Sequence, residues 1–327
     1  KSSIYKRRHK VKINIKTMKF SIAIPAYKPQ YLEEAIMSVL SQSYDNWELI
    51  VVDDCSPYNL KVVLKSFNDT RIKYYRNDKN FGAINVVDNW NRCLEYVSGD
   101  YVICMGDDDR LLPNCIEEYK KLIEKYPGLN VYHGLTEIID ENSCFLDYQA
   151  PRPEYESALS LMYNRFENRR HQYIGDFLYK VVPLKENGGF FKLPLAWGSD
   201  DISAIIAASG AGIANTPVPV FQYRVNRHTI SSSVNSEYKL LALKEERIWY
   251  HKFLNNYTPD GDIEKKYYLL LSEKIDFFLY EKLYMTIALI IRKRTLDIFK
   301  ILKLKSYLSI SNKCLLKGII LGLNPIH

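Results

Sequence analysis

The chain has 327 residues, 47% of them hydrophobic, enough for one large domain or two modest ones with a real core. Its net charge of +7 is unevenly placed: residues 1–19 carry eight Lys and Arg and no acid, residues 292–327 carry eight and only Asp297, and the centre is net acidic. Basic ends around an acidic centre argue against nucleic acid as a partner and for solvated faces or weak attraction to anionic lipid headgroups.

In chain order, FSIAIPAY reads as a strand stopped by Pro25, and YLEEAIMSVLSQS sets Leu32, Ile36, Val39 and Leu40 on one helical face. WELIVVDDCS is a second buried strand that ends in Asp53 and Asp54 before the turn formers Ser56 and Pro57. RIKYYRN is a third, followed by the Asn80-Phe81-Gly82 turn, after which Ile84, Val87, Trp90, Leu94 and Val97 recur at helical spacing. YVICMG is a fourth, running into Asp107, Asp108 and Asp109, and Asn114 with Glu117 predicts a capped helix after Pro113. Beyond about 131 come a strand, helix and tight Gly188-Gly189 turn, a helix with Asp200 and Asp201 in its first turn, and the strand VPVFQYRV leading into a polar loop. From about 236 the pattern is helical, and LDIFKILKLKSYL suits a basic amphipathic helix.

Continuous apolar strands alternating with amphipathic helices predict an α/β fold with a mostly parallel sheet covered on both faces. Ligands of such sheets bind outside the carboxyl ends of the strands. Two strands here end in clustered aspartates, so Asp53, Asp54 and Asp107–Asp109 are expected around one crevice. Such carboxylates bind a hard dication, cap helix N-termini, or lie in solvated loop; the strand-end position favours the cation. The sequence has no G-x-G-x-x-G after the first strand and no G-x-x-x-x-G-K-[ST], which excludes a dinucleotide fold and a P-loop NTPase.

The order SIAIPAY…VVDDCSP, then NFG, then NWNRCLEYVSGDYVICMGDDDRLLP, with GGFF and WGSDD further on, resembles the inverting family 2 glycosyltransferases of the GT-A fold, over about residues 19–232. The resemblance implies a Rossmann-like GT-A domain with a donor-binding half (18–130), an acceptor-binding half (131–235) and a C-terminal helical extension (236–327). It implies transfer of a sugar from a nucleotide-diphosphate sugar, most often a UDP-sugar, to a hydroxyl of a glycan or lipid-linked glycan in surface polysaccharide such as capsule or O-antigen. By the same resemblance Asp54 or Asp53 reads the uracil imide, Pro25, Ala26 and Tyr27 line the base pocket, and Asn80, Gly82 and Asn91 belong to the donor site. The family's Asp-X-Asp-Asp begins here with Gly106, which leaves Asp107 for the ribose, Asp108 as the ligand of Mn²⁺ or Mg²⁺, and Asp109 either to orient the metal shell or to cap a helix. Asp201, or Asp200 after a slip of one, is the expected base. Arg224 and His228 are expected near the diphosphate, with Tyr173 and Trp197 as pocket walls.

The six cysteines show no CxxC pair, no secretory h-region follows the basic start, and YMTIALII is too short to span a bilayer. These features predict a reduced, cytoplasmic protein, peripheral at most to the inner membrane face, with residues 1–17 read as a leader; a homodimer is compatible. A catalytically inactive nucleotide-sugar binder and a metal-dependent phosphohydrolase would use the same acids.

Overall fold

The computed structural model describes residues 18–226 and 236–324. The first part alternates β1 (Phe20–Ala26), α1 (Leu32–Leu40), β2 (Trp47–Asp53), α2 (Leu60–Leu64), β3 (Ile72–Arg76), α3 (Val86–Tyr96) and β4 (Tyr101–Cys104). These strands pair in parallel in the order β3-β2-β1-β4. Helices cover both faces, so every residue of β2 is buried. Alternate side chains point to opposite faces: Ile50 and Val52 pack with Trp90 and Leu94, whereas Leu49 and Val51 pack with Leu32 and Ile36.

The second part adds β5 (Arg110–Leu111), α4 (Cys115–Lys125), β6 (Val131–Ile139), β7 (Phe145–Tyr148), β8 (Tyr155–Glu156), α5 (Ala158–Phe166), β9 (Phe177–Lys180), α6 (Val181–Glu186), α7 (Ser199–Ala208) and β10 (Ile213–Arg224). Here the sheet is mixed: β9 pairs antiparallel with both β4 and β6, and β6 pairs in parallel with β10. One sheet therefore runs across the expected boundary at 130/131, and the two parts share its core. The cap expected at Asn114 does not form, because its side chain donates to the Pro219 carbonyl instead.

Four helices follow: α8 (Ser236–Asn256), α9 (Gly261–Lys293), α10 (Asp297–Leu304) and α11 (Asn312–Leu323). Tyr250 and Leu254 of α8, with Leu271, Ile275 and Phe278 of α9, enter the same core as Phe190 and Ile202, so this region is welded to the sheet domain at its near end. Its far end has a core of its own around Tyr284, Ile287, Ile291, Ile301 and Leu315. Among the described residues no helix is long and apolar enough to cross a membrane.

Asn91 has a structural part in the fold. Its side chain donates to the Phe190 carbonyl (3.0 Å) and accepts from the Phe190 amide (2.7 Å), and a Cβ on Gly189, whose φ is +86°, would lie 2.3 Å from its Oδ1. It is a staple between α3 and the Gly-Gly turn. Asn91→Ala orphans two backbone groups and is expected to lower unfolding free energy by about 1–3 kcal/mol in urea titration, with UDP affinity unchanged.

Candidate active site

The parallel pairing puts Ala26 beside Asp53, so the ends of β1 and β2 meet at one sheet edge where Asp54 follows. Both aspartates are occupied by the fold. Asp53 is fully buried, accepts from the Ser56 amide (2.7 Å) and the Tyr74 hydroxyl (2.6 Å), and is ion-paired with Arg76. Asp54 accepts from Asn77 (2.9 Å), from the Phe81 amide (3.0 Å) and from the Gly82 amide (3.3 Å), while Asn80 donates to its carbonyl (2.6 Å). The Asn80–Gly82 turn is thus built around Asp54. Beside them Pro25 and Ala26 end β1, and the half-exposed Tyr27 has its carbonyl tied to Ser56 (2.6 Å).

The three acids after β4 diverge. Asp107 accepts from the Tyr27 and Lys28 amides, both at 2.7 Å, and so ties β4 to the end of β1. Asp108 accepts from Asn226 (2.6 Å) and Asp109 from the Arg224 amide (3.0 Å). Burial, and next the charge of Asp108, push Asp107 up to about 6; burial also raises Asp108 and, with the Asp108 charge beside it, holds Asp109 well above the ordinary range. The donors around them do not cancel the cost of burying three neighbouring carboxylates.

At the second acid pair, Gly198 (φ +93°) opens α7, and Leu195 and Ala196 before it are also left-handed (φ +61° and +54°), a strained approach that sets where the first turn lies. Asp201 is buried, takes Arg165 Nε at 2.8 Å and also accepts from Gln172. Burial alone would raise it; the Arg165 and Lys282 charges and these hydrogen bonds outweigh that and hold it low. Asp200 is part-buried as a residue and has no ion pair among the described residues, and burial together with the Asp201 charge pushes it up to about 8. Tyr173 is stacked on Tyr223 at 3.7 Å, near enough to Asp176, Asp109 and Arg165 to feel their charges.

Several expected contacts take other forms. Arg224 is fully buried: it donates to the carbonyl of Asp108 (2.8 Å) and to Ser143 (2.8 Å), pairs with Glu34 (2.8 Å) and lies over the Tyr31 ring, so it braces the acid loop. Trp197 has Lys239 over its ring at 4.6 Å and is part-buried. His228 lies outside the described residues. Sequence reasoning missed Arg165, Gln172 and the Glu246–Lys282 pair (2.6 Å), whose Glu246 Oε1 sits where a Cβ on Gly198 would come within 2.9 Å. No local pattern marks them, because they come from α5, the loop after it, α8 and α9.

A divalent cation is implied by the resemblance. The donor chemistry fits one. Asp108 Oδ1 and Asp109 Oδ2 meet over Gly106, where a Cβ would lie 2.8 and 2.9 Å from them, so a side chain at 106 would fill the space the carboxylates share. Hard oxygens with excess buried charge are what Mn²⁺ or Mg²⁺ selects. The three-carboxylate junction is nevertheless not formed: among the described residues no group of three or more His, Cys, Asp and Glu is arranged to hold a metal.

A mixed sheet with helices on both faces and acids at the carboxyl ends of its parallel strands agrees with the expected GT-A architecture, and solved structures share it. The *S. aureus* TarS 1–349 structure in complex with UDP-GlcNAc superposes with a TM-score of 0.61 over 93% of this chain and 89% of that one, and at 17% identity this likeness shows the fold. The family model described as glycosyl transferase family 2 matches residues 21–187, and the chain belongs to that family. The UDP-Glc:alpha-D-GlcNAc-diphosphoundecaprenol beta-1,3-glucosyltransferase WfgD of Escherichia coli is 34% identical over 133 residues, 40% of this chain and 51% of WfgD. The putative colanic acid biosynthesis glycosyl transferase WcaA of E. coli K12 is 42% identical over 97 residues, 29% of this chain and 34% of WcaA. The chain spans about half the length of the first of these relatives and a third of the second.

Removing Arg165 would leave Asp201 buried without its cation. Arg165→Met is expected to cost about 3–5 kcal/mol in urea unfolding, and Arg165→Met/Asp201→Asn to recover part of that loss.

Proposed function

We propose that the chain is an inverting glycosyltransferase that moves a sugar from a UDP-sugar to a hydroxyl of a glycan or lipid-linked glycan. Surface polysaccharide assembly, capsule or O-antigen, at the cytosolic membrane face is the setting we propose. The observation that carries the reading is Asp200: a part-buried acid in the first turn of α7, without an ion pair among the described residues and raised to about 8 by burial and by the charge of Asp201. TarS bound to UDP-GlcNAc and the UDP-Glc in WfgD's name support a UDP donor.

The parts divide the work as follows. Pro25, Ala26 and Tyr27 form the wall for the base, while Asp54 orders the Asn80–Gly82 turn beside it. Asp108, with Asp109, would hold Mn²⁺ or Mg²⁺, which when bound supplies positive charge to the leaving diphosphate. Asp200, rather than the Arg165-bound Asp201, is the base. It takes the proton of the acceptor hydroxyl as that oxygen bonds to the anomeric carbon from the face opposite the diphosphate, and the bond between that carbon and the diphosphate breaks with its electrons leaving on the diphosphate. Asp201 serves as the fixed negative neighbour that keeps Asp200 basic near neutral pH.

The test is UDP release by the purified full chain with UDP-sugars, Mn²⁺ and an acceptor. Asp200→Asn is expected to lower kcat by about 10²–10⁴-fold with UDP affinity preserved. Because the ionised carboxyl is the active form, wild-type kcat should rise with pH and level off above about 8. Should Asp200→Asn keep full kcat while a folded Asp201→Asn loses it, the base is Asp201 and the assignment fails.

A further inference from the structure

We infer that α10 and α11 form a docking surface for an anionic lipid bilayer, an inference that stands on this region's own geometry whatever the chemistry of the crevice. The arrangement of α11 supplies the first observation. A Cβ on Gly318 would come within 2.6 Å of Ile287, and one on Gly322 within 2.8 Å of Ile291, so α11 lies with its glycine face hard against α9. Cys314 and Leu315 are buried on that side. The opposite side is nonetheless apolar: Leu316, Ile320 and Leu323, spaced i, i+4 and i+7, are 59%, 49% and 53% exposed. A helix that turns apolar residues both inward and outward has an outer face that nothing among the described residues covers.

The second observation is the same pattern on α10. Its inner side buries Asp297 and Ile301, and its outer side exposes Phe299 and Leu302 interleaved with Lys300 and Lys303. Charge selects the occupant. Eight Lys and Arg fall between 292 and 327, against a single acid, and that acid is the buried Asp297 with Lys300 at 3.5 Å. An apolar face flanked by cations and free of exposed acids matches anionic headgroups above an acyl boundary. Both helices, of 8 and 12 residues, are too short to span a bilayer and would lie along its surface.

The test is co-sedimentation of the full chain with phosphatidylcholine vesicles and with vesicles containing phosphatidylglycerol, at low and high salt. Binding is expected to be at least about tenfold stronger to the anionic vesicles and to weaken with salt. Phe299→Ser/Leu316→Gln/Ile320→Gln, all at exposed positions, should reduce it by about tenfold or more with the melting temperature and UDP affinity unchanged. Equal binding to both vesicle types, or full binding by the triple variant, overturns the inference. So does sedimentation velocity that shows a dimer of the full chain converted to monomer by the triple variant, since the face would then belong to a second copy of this chain. Loss of sugar transfer with vesicle binding intact would count against the crevice reading alone.

Discussion

Buried negative charge without enough protein cations to match it is the constraint on which the rest of this molecule turns. Parallel strands bring their carboxyl ends to one edge, and in this chain those ends carry Asp53, Asp54 and Asp107 through Asp109. Coulomb repulsion among desolvated carboxylates costs far more than it does in water. The fold answers that cost differently at each acid, and the differences separate structural acids from chemical ones.

Asp53, Asp54 and Asp201 are neutralised from within, by Arg76, by backbone amides of the Asn80–Gly82 turn, and by Arg165 with Gln172. Asp107, Asp108, Asp109 and Asp200 are not; each is raised, with burial the largest cause. Amides in their place would relieve that cost, so these four acids work against the stability of the fold. Glu246 and Lys282 extend the second acid group into α8 and α9, and the Lys282 charge acts on Asp201 directly. The helical extension therefore reaches Asp201, the neighbour of the candidate base, electrostatically, and joins the sheet domain through the shared core of Tyr250 and Phe278.

The alternation of β1 through β4 with its helices was legible because buried parallel strands are apolar throughout, and the strand-end acids followed from topology. The mixed second half was harder to read: β5 and β8 are two residues long, and their pairing with β10 is fixed by contacts distant in sequence. The bracing role of Arg224 was equally illegible: Glu34, Ser143 and the Asp108 carbonyl, which take its donors, come from three separate segments. Gly106, a departure from the family's acid, has a physical reason visible only in three dimensions, since the carboxylates of Asp108 and Asp109 occupy the space a side chain would need.

The central claim is that the acids after β4 carry excess charge because a dication and a diphosphate complete them. Calorimetric titration of UDP into the full chain, with and without Mn²⁺, measures that directly. The account predicts tight binding only with the metal and loss of the metal effect in Asp108→Asn; UDP affinity indifferent to Mn²⁺ in the wild-type chain would contradict it.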